Sequence, residues 1–272
     1  MRNTGKHEPF VAENDILLVD EWARTFGVYA GFSTIKGGVS KAPFTSMNLA
    51  YTVGDEVTDV LTNRRMLAGK TPIPYERWIF ANQQHTNHVA EVTSAHIGAG
   101  GLSVDTAISN TDGMYTFEKG LMLATFHADC TPVYFYSPPD GLIGMIHAGW
   151  QGTVKGITRV LIDAWVQKGV DPANIYIVLG PAASQTLYEV DEPVVTQIRQ
   201  MKLMRAGEAI VPHGKGKYLL DTAYLNYLVA IDAGVRTEHI MRSTYCTIKE
   251  NDMFFSYRRS GQTGRMLAFI SQ

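Results

Sequence analysis

The sequence predicts an α+β fold, layered α/β/β/α, with mixed β-sheets covered by helices in a single domain over residues 1–272. Three observations lead there. Short β-branched and aromatic runs, broken by turns rich in Gly, Pro and Asp, recur through the first half and read as strands. Helical stretches are interspersed among them, so hairpins alternate with strand–helix–strand units. The 272 residues are 45% hydrophobic, enough for one substantial core, and neither a repeat nor a linker divides them.

The elements follow in order. Residues 16–19 and 28–32 read as strands, then a loop turns around Gly37-Gly38. Asp55 can cap a helix over 56–67 by accepting a bond from its first free amides. That helix sets Val57, Val60, Leu61 and Leu67 on one stripe, and Arg64 falls on it. A guanidinium on an apolar stripe needs an anion, either a buried carboxylate or the phosphate or carboxylate of a ligand. A strand at 78–80 runs into Asn82-Gln83-Gln84-His85, and another follows at 89–92. Further strands read at 121–126, 133–136 and 142–146, the last two joined by the turn Pro138-Pro139-Asp140-Gly141. Val154, Ile157, Val160, Leu161, Ala164 and Trp165 recur at helical spacing, in a helix that Gly169 ends. A strand at 175–179 reaches Gly180-Pro181. Asp191, followed by Pro193, caps a helix to about Met201, and Asp221 caps another with Tyr224, Leu225, Leu228 and Val229 inward. The chain end reads as a hairpin, 254–258 against 265–270.

Composition excludes several functions. A net charge of −2 gives no electrostatic footprint for nucleic acid or an acidic membrane surface. No apolar run reaches the roughly 18 residues of a membrane span. The first seven residues are polar and lack the apolar core of a signal peptide. Two cysteines exclude a disulfide framework and suit a reducing cytoplasm.

The stretch from Ala128 to Gln151 holds the chemistry. Cys130 and His147 both stand where a strand meets a loop, and His85 stands at a third strand end. Strands could converge the three into a His₂Cys set, which suits zinc with one open position and can also take copper. A buried structural cysteine beside unrelated histidines explains the same residues. His88 and His127 lie three residues from His85 and Cys130, a spacing that reverses the facing in an extended chain. Met145 and Cys246 read as core. The glycines at 149 and 152 fit an anion site at a helix start or a tight strand–helix turn.

Several ordered motifs carry a resemblance. Asn82-Gln83-Gln84-His85, Ala128-Asp129-Cys130-Thr131-Pro132 and His147-Ala148-Gly149-Trp150-Gln151-Gly152 are joined by Ser256-Tyr257-Arg258-Arg259 and Thr263-Gly264-Arg265. With Gly37-Gly38-Val39-Ser40, Asn48-Leu49 and Asn63-Arg64, the chain resembles the YfiH/YlmD family over nearly its whole length. Members carry laccase-domain or polyphenol oxidase names. Ile35 and Gln151 depart from arginines usual in the family, and Thr186-Leu187 from a cysteine pair.

The resemblance implies purine nucleoside phosphorylase activity, with adenosine or inosine and phosphate giving free base and ribose 1-phosphate. It also implies methylthioadenosine phosphorolysis and adenosine deamination. The metal ligands would be His85, Cys130 and His147, holding zinc, with copper as the other candidate. Asp129 would move protons as water attacks purine C6. Arg64 is the candidate phosphate residue, with Arg258 or Arg265 assisting and Asn48 and Gln83 placed at the substrate. The expected partners are nucleosides and phosphate, and the expected state is a monomer or weak homo-oligomer. Three readings compete: a copper polyphenol oxidase, a metal-free hydrolase or deamidase using Cys130 and His147, and a binding protein without turnover. The eight histidines form no His-x-His pair of the kind laccases use.

Overall fold

The computed structural model describes residues 8–272, so the expectation for the polar first seven lies outside the described residues. The first half of the chain runs through β1 (Phe10–Glu13), β2 (Ile16–Val19), α1 (Asp20–Phe26) and β3 (Tyr29–Ser33) to α2 (Val57–Ala68). It continues through β4 (Trp78–Phe80), β5 (Val89–Glu91), β6 (Gly113–Thr116), β7 (Met122–His127), β8 (Thr131–Ser137) and β9 (Leu142–Ala148). The second half holds α3 (Trp150–Val154), α4 (Ile157–Val166), β10 (Tyr176–Leu179), β11 (Glu189–Asp191) and α5 (Glu192–Gln200). The chain closes with β12 (Ile210–Pro212), β13 (Lys217–Leu220), α6 (Thr222–Asp232), β14 (Ile240–Arg242), α7 (Tyr257–Ser260) and β15 (Met266–Ser271).

Two six-stranded sheets result, ordered β1-β2-β3-β15-β7-β4 and β14-β10-β8-β9-β6-β5, with a small third sheet β11-β13-β12. The large sheets are mixed: β4 runs parallel to β7, β5 to β6 and β10 to β14, and the other pairs are antiparallel. Alternation along each strand builds the layers. Leu123, Ala268 and Phe32 of the first sheet meet Tyr134, Met145 and Val178 of the second in a central core. The opposite face of the second sheet, with Val133, Phe135 and Ile146, packs on Leu161, Ile162 and Trp165 of α4. The opposite face of the first, with Trp78, Ala124 and Phe269, takes Leu67 and Ala68 of α2. That is the predicted α/β/β/α layering. Among the described residues no helix is long and apolar enough to cross a membrane.

Several local expectations are corrected. The sequence left the pairing of its central strands open, and β7 and β8 pair in different sheets, so the central stretch crosses from one sheet to the other. The helix read across 154–165 is two, broken at Gly156, whose φ of 79° no β-carbon tolerates well. Asp55 does not cap α2. Its Oδ1 accepts from the Glu56 amide and its Oδ2 from Asn48 Nδ2, while Val57 is 58% exposed. No terminal hairpin forms: Ser256 caps the short α7, and β15 inserts between β3 and β7. Asp191 offers α5 no side-chain bond, whereas Asp221 caps α6 through the Tyr224 amide at 2.8 Å.

Candidate metal centre and its cavity

Three separate segments deliver His85, Cys130 and His147 to one point. β4 ends in the loop that carries His85, the crossing between β7 and β8 carries Cys130, and β9 carries His147 near its end. One donor atom from each lies within 4.8 Å of the others, and among the described residues no fourth His, Cys, Asp or Glu joins them. A single ion with bonds of about 2.0–2.3 Å holds tetrahedral donors roughly 3.3–3.8 Å apart, so it would draw these donors together by up to about 1 Å. The donor set therefore fits a metal ion with an open position. Gly149 makes the approach possible, because a β-carbon there would stand 2.8 Å from His85 Nδ1 and 3.0 Å from Cys130 Sγ.

Each candidate ligand is held from behind. Asp112, which sequence reasoning missed, is fully buried, and its Oδ1 lies 2.9 Å from His147 Nδ1. Burial pushes its carboxyl up, but bonds from His147, Thr86 and Gln84 outweigh that and hold it at about 2. Burial pulls His147 down, while the Cys130 sulfur and Asp112 more than offset it and keep the imidazole above its ordinary value. His85 is lowered, first by burial and then by His147. The only sequence signal for Asp112 was a Thr-Asp-Gly tripeptide before a strand, which any turn could produce.

His127 is not a ligand. Its Nδ1 lies 3.0 Å from the Cys130 carbonyl and its Nε2 2.9 Å from Thr125 Oγ1, and burial holds it well below its usual value, so it is neutral. A neutral ring donates from Nδ1 and accepts at Nε2 here, which anchors the Cys130 backbone. His88 stands apart, with Nδ1 on Asn110 O and Thr111 Oγ1. Asp129 adopts φ of 93°, and its carboxylate accepts from Thr247 Oγ1, Ser256 Oγ and the Arg258 amide. Met145 and Cys246 are core.

A cavity of about 240 Å³ opens beside the two imidazoles. His85, His147 and Arg265 line one part, and Tyr51, Arg64, Phe80 and Phe126 another. Arg64, 2% exposed, finds no carboxylate, contrary to that branch of the sequence reading. Its Nε donates to Leu49 O at 2.7 Å and its Nη1 to Gly100 O at 2.7 Å and Gly101 O at 3.2 Å. The Tyr51, Phe80 and Phe126 rings lie 4.0, 4.4 and 5.0 Å from its central carbon. Arg265 donates from Nη1 to Thr263 O and Gly264 O, and burial lowers its pKa against the opposing pull of nearby Cys130 and Asp129.

The remaining candidates are dispersed. Gln83 lines the cavity but exchanges two bonds with the Phe126 backbone, like an extra strand residue. Asn48 is buried behind the wall, donating to Ala50 O and Asp55 and accepting from the Arg265 amide. Arg258 faces a second cavity, with its guanidinium bonded to Glu189 O and 4.6 Å from the Tyr188 ring centre.

Residues 29–272 match the family described as multi-copper polyphenol oxidoreductase laccase. The chain belongs to this family. Its relatives there include "Purine nucleoside phosphorylase YlmD" of Bacillus subtilis (strain 168), 42% identical over 260 residues and 93% of each chain. "Purine nucleoside phosphorylase SERP0752" of Staphylococcus epidermidis is 36% identical, over 89% of this chain and 90% of that one. Among solved structures, YlmD from Geobacillus stearothermophilus superposes with a TM-score of 0.94 at 40% identity, covering 98% of this chain and 99% of that one. The YfiH protein of Bacillus licheniformis gives the same TM-score at 38% identity, over 97% and 99%.

Proposed function

We propose that the protein is a purine nucleoside phosphorylase whose centre is the His85, Cys130 and His147 cluster. The observation that carries this is the cluster's position at the wall of a cavity that also holds Arg265, in a chain whose relatives bear that name. Zinc bound by the three ligands would supply a Lewis acid with an open position, and copper is the alternative ion.

The chain's own residues divide the work. Tyr51, Phe80 and Phe126 give the apolar part of the cavity a surface for a planar base. Arg265, on the histidine side, is assigned to phosphate, for which a guanidinium fork is well shaped. A phosphate oxygen forms a bond to ribose C1′ as the bond from C1′ to purine N9 breaks. The electron pair leaves with the base, which takes up the proton that the attacking hydrogen phosphate gives up. Arg64, committed to three carbonyls, is assigned to the cavity wall, and Gln83 and Asn48 to holding that wall. Asp129 already accepts three hydrogen bonds, so it is assigned to positioning Cys130.

The test is metal-assayed protein incubated with adenosine, with and without phosphate, followed by product analysis. Adenine and ribose 1-phosphate in equal amounts, formed only with phosphate, are the expected products, and methylthioadenosine should be cleaved likewise. Inosine formed without phosphate would add deamination. Oxygen uptake with phenols and no nucleoside turnover would overturn the proposal.

One observation favours a second reading. Cys130, His147 and Asp112 follow one another as nucleophile, base and orienting carboxylate do in cysteine hydrolases. His85 then has no task. Turnover that survives chelation but not thiol alkylation would select this reading.

A further inference from the structure

We propose that Asp112 is the positioning residue of the metal centre, one buried carboxylate that sets both imidazole ligands at once. This rests on the reading of His85, Cys130 and His147 as a metal site. Five donors converge on the carboxylate. Oδ1 lies 2.9 Å from His147 Nδ1 and accepts the His85 amide at 3.1 Å. Oδ2 accepts from the Thr86 amide at 2.7 Å, the Thr86 hydroxyl at 2.9 Å and the Gln84 amide at 3.1 Å. The Asp112 backbone is tied into the same frame, since its carbonyl accepts the His147 amide at 2.7 Å and its amide donates to His88 O at 3.1 Å.

Each contact has a consequence for the ligands. With Nδ1–H directed at Asp112, the His147 ring keeps the tautomer whose Nε2 lone pair is free for an ion. His85 sits at φ of 55°, in the left-handed region that non-glycine residues avoid. Three successive amides, 84 to 86, wrap the carboxylate and hold that turn in place. The histidine loop follows a strand of one sheet and the β9 histidine lies in the other, and Asp112 bonds to both. With a metal bound, this carboxylate and a Cys130 thiolate would together balance the charge of a divalent cation.

The experiment compares wild type with Asp112→Asn. Zinc affinity is measured by competition with a chromophoric chelator, the fold by circular dichroism and apo-protein melting, and ligand geometry by the visible spectrum of the cobalt(II)-loaded protein. Asparagine keeps the shape but points an NH₂ at donors that need an acceptor. The expected result is a folded variant that binds zinc about 10–100-fold more weakly, with shifted cobalt bands. A merely structural role would lower the melting temperature and leave the zinc affinity and the spectrum of the folded protein unchanged, and that result overturns the proposal. Should Asp112→Asn fail to fold, Thr86→Val removes one donor from Oδ2 and leaves both histidine contacts on Oδ1. It is expected to weaken zinc about threefold, a fraction of the worth of one charge-assisted bond because the loss reaches the ligands only through Oδ1, and wild-type affinity would again overturn the proposal. Wild-type protein that takes up no zinc overturns the metal reading itself, and this proposal with it.

Discussion

At the scale of single residues, the centre depends on one missing side chain as much as on three present ones. Gly149 has an ordinary φ of −70°, so its glycine is required by proximity and not by backbone shape. Gly149→Ala should fold, because the clash is confined to His85 and Cys130, but it should lose stoichiometric zinc on metal analysis. Full zinc content in that variant would show that the three donors have room to spare. The two cavity arginines should separate kinetically. Arg265→Ala is expected to raise the KM for phosphate at least about tenfold, the worth of a charge-assisted bond, with little change for adenosine. Arg64→Ala leaves two buried carbonyls, Leu49 O and Gly100 O, without their donor, while Gly101 O keeps the Tyr51 and Tyr75 hydroxyls, at a cost of about 2–4 kcal/mol. It should lower the melting temperature and raise both KM values together. The sequence displayed these residues unevenly. His85, Cys130 and His147 stood out by type and by motif, whereas Asp112 is a common residue in a common turn. Only its five converging donors mark it.

At the scale of elements, the patterns that were legible are those whose cause is local. The Asp221 cap of α6 is set within four residues, and its carboxylate also accepts from Arg242 Nη2 at 2.6 and 2.8 Å. Asp221→Ala should destabilise by about 1–3 kcal/mol, cap and partner together, measured by urea unfolding. Tyr29 of β3 donates to Lys70 O, and burial with help from Glu13 raises its pKa to about 12. Its contribution to stability is complete below pH 10 and is lost as pH rises towards 12. Tyr29→Phe should therefore flatten that part of the alkaline stability profile, and an unaltered profile would argue against the shift. The elements read wrongly are those whose partners are remote. The apolar run at 265–270 is a strand, as expected, but its neighbours are β3 and β7, not the residues just before it. Helical periodicity crosses Gly156 without a break, while the backbone there turns left-handed.

At the scale of the whole molecule, the centre joins the two large sheets. His85 follows a strand of the first sheet, His147 lies on the second, and Cys130 occupies the crossing between them. An ion held by all three would cross-link the sheets, so zinc at about 1,000 times its dissociation constant should stabilise by about 4 kcal/mol. That corresponds to a rise of several degrees in melting temperature, reversed by chelation, and no shift on chelation would exclude the cross-link. The sequence by itself determined the layered α+β class, the strand ends near which His85, Cys130 and His147 stand and the family, because β-branched and aromatic runs, helical spacing and ordered motifs are written along one dimension. The pairing of strands, the crossing from sheet to sheet, Arg64 among carbonyls and rings, and Asp112 beneath two histidines were decided only by the tertiary structure. These are contacts between segments tens to hundreds of residues apart, and no local periodicity records which distant surfaces bury one another.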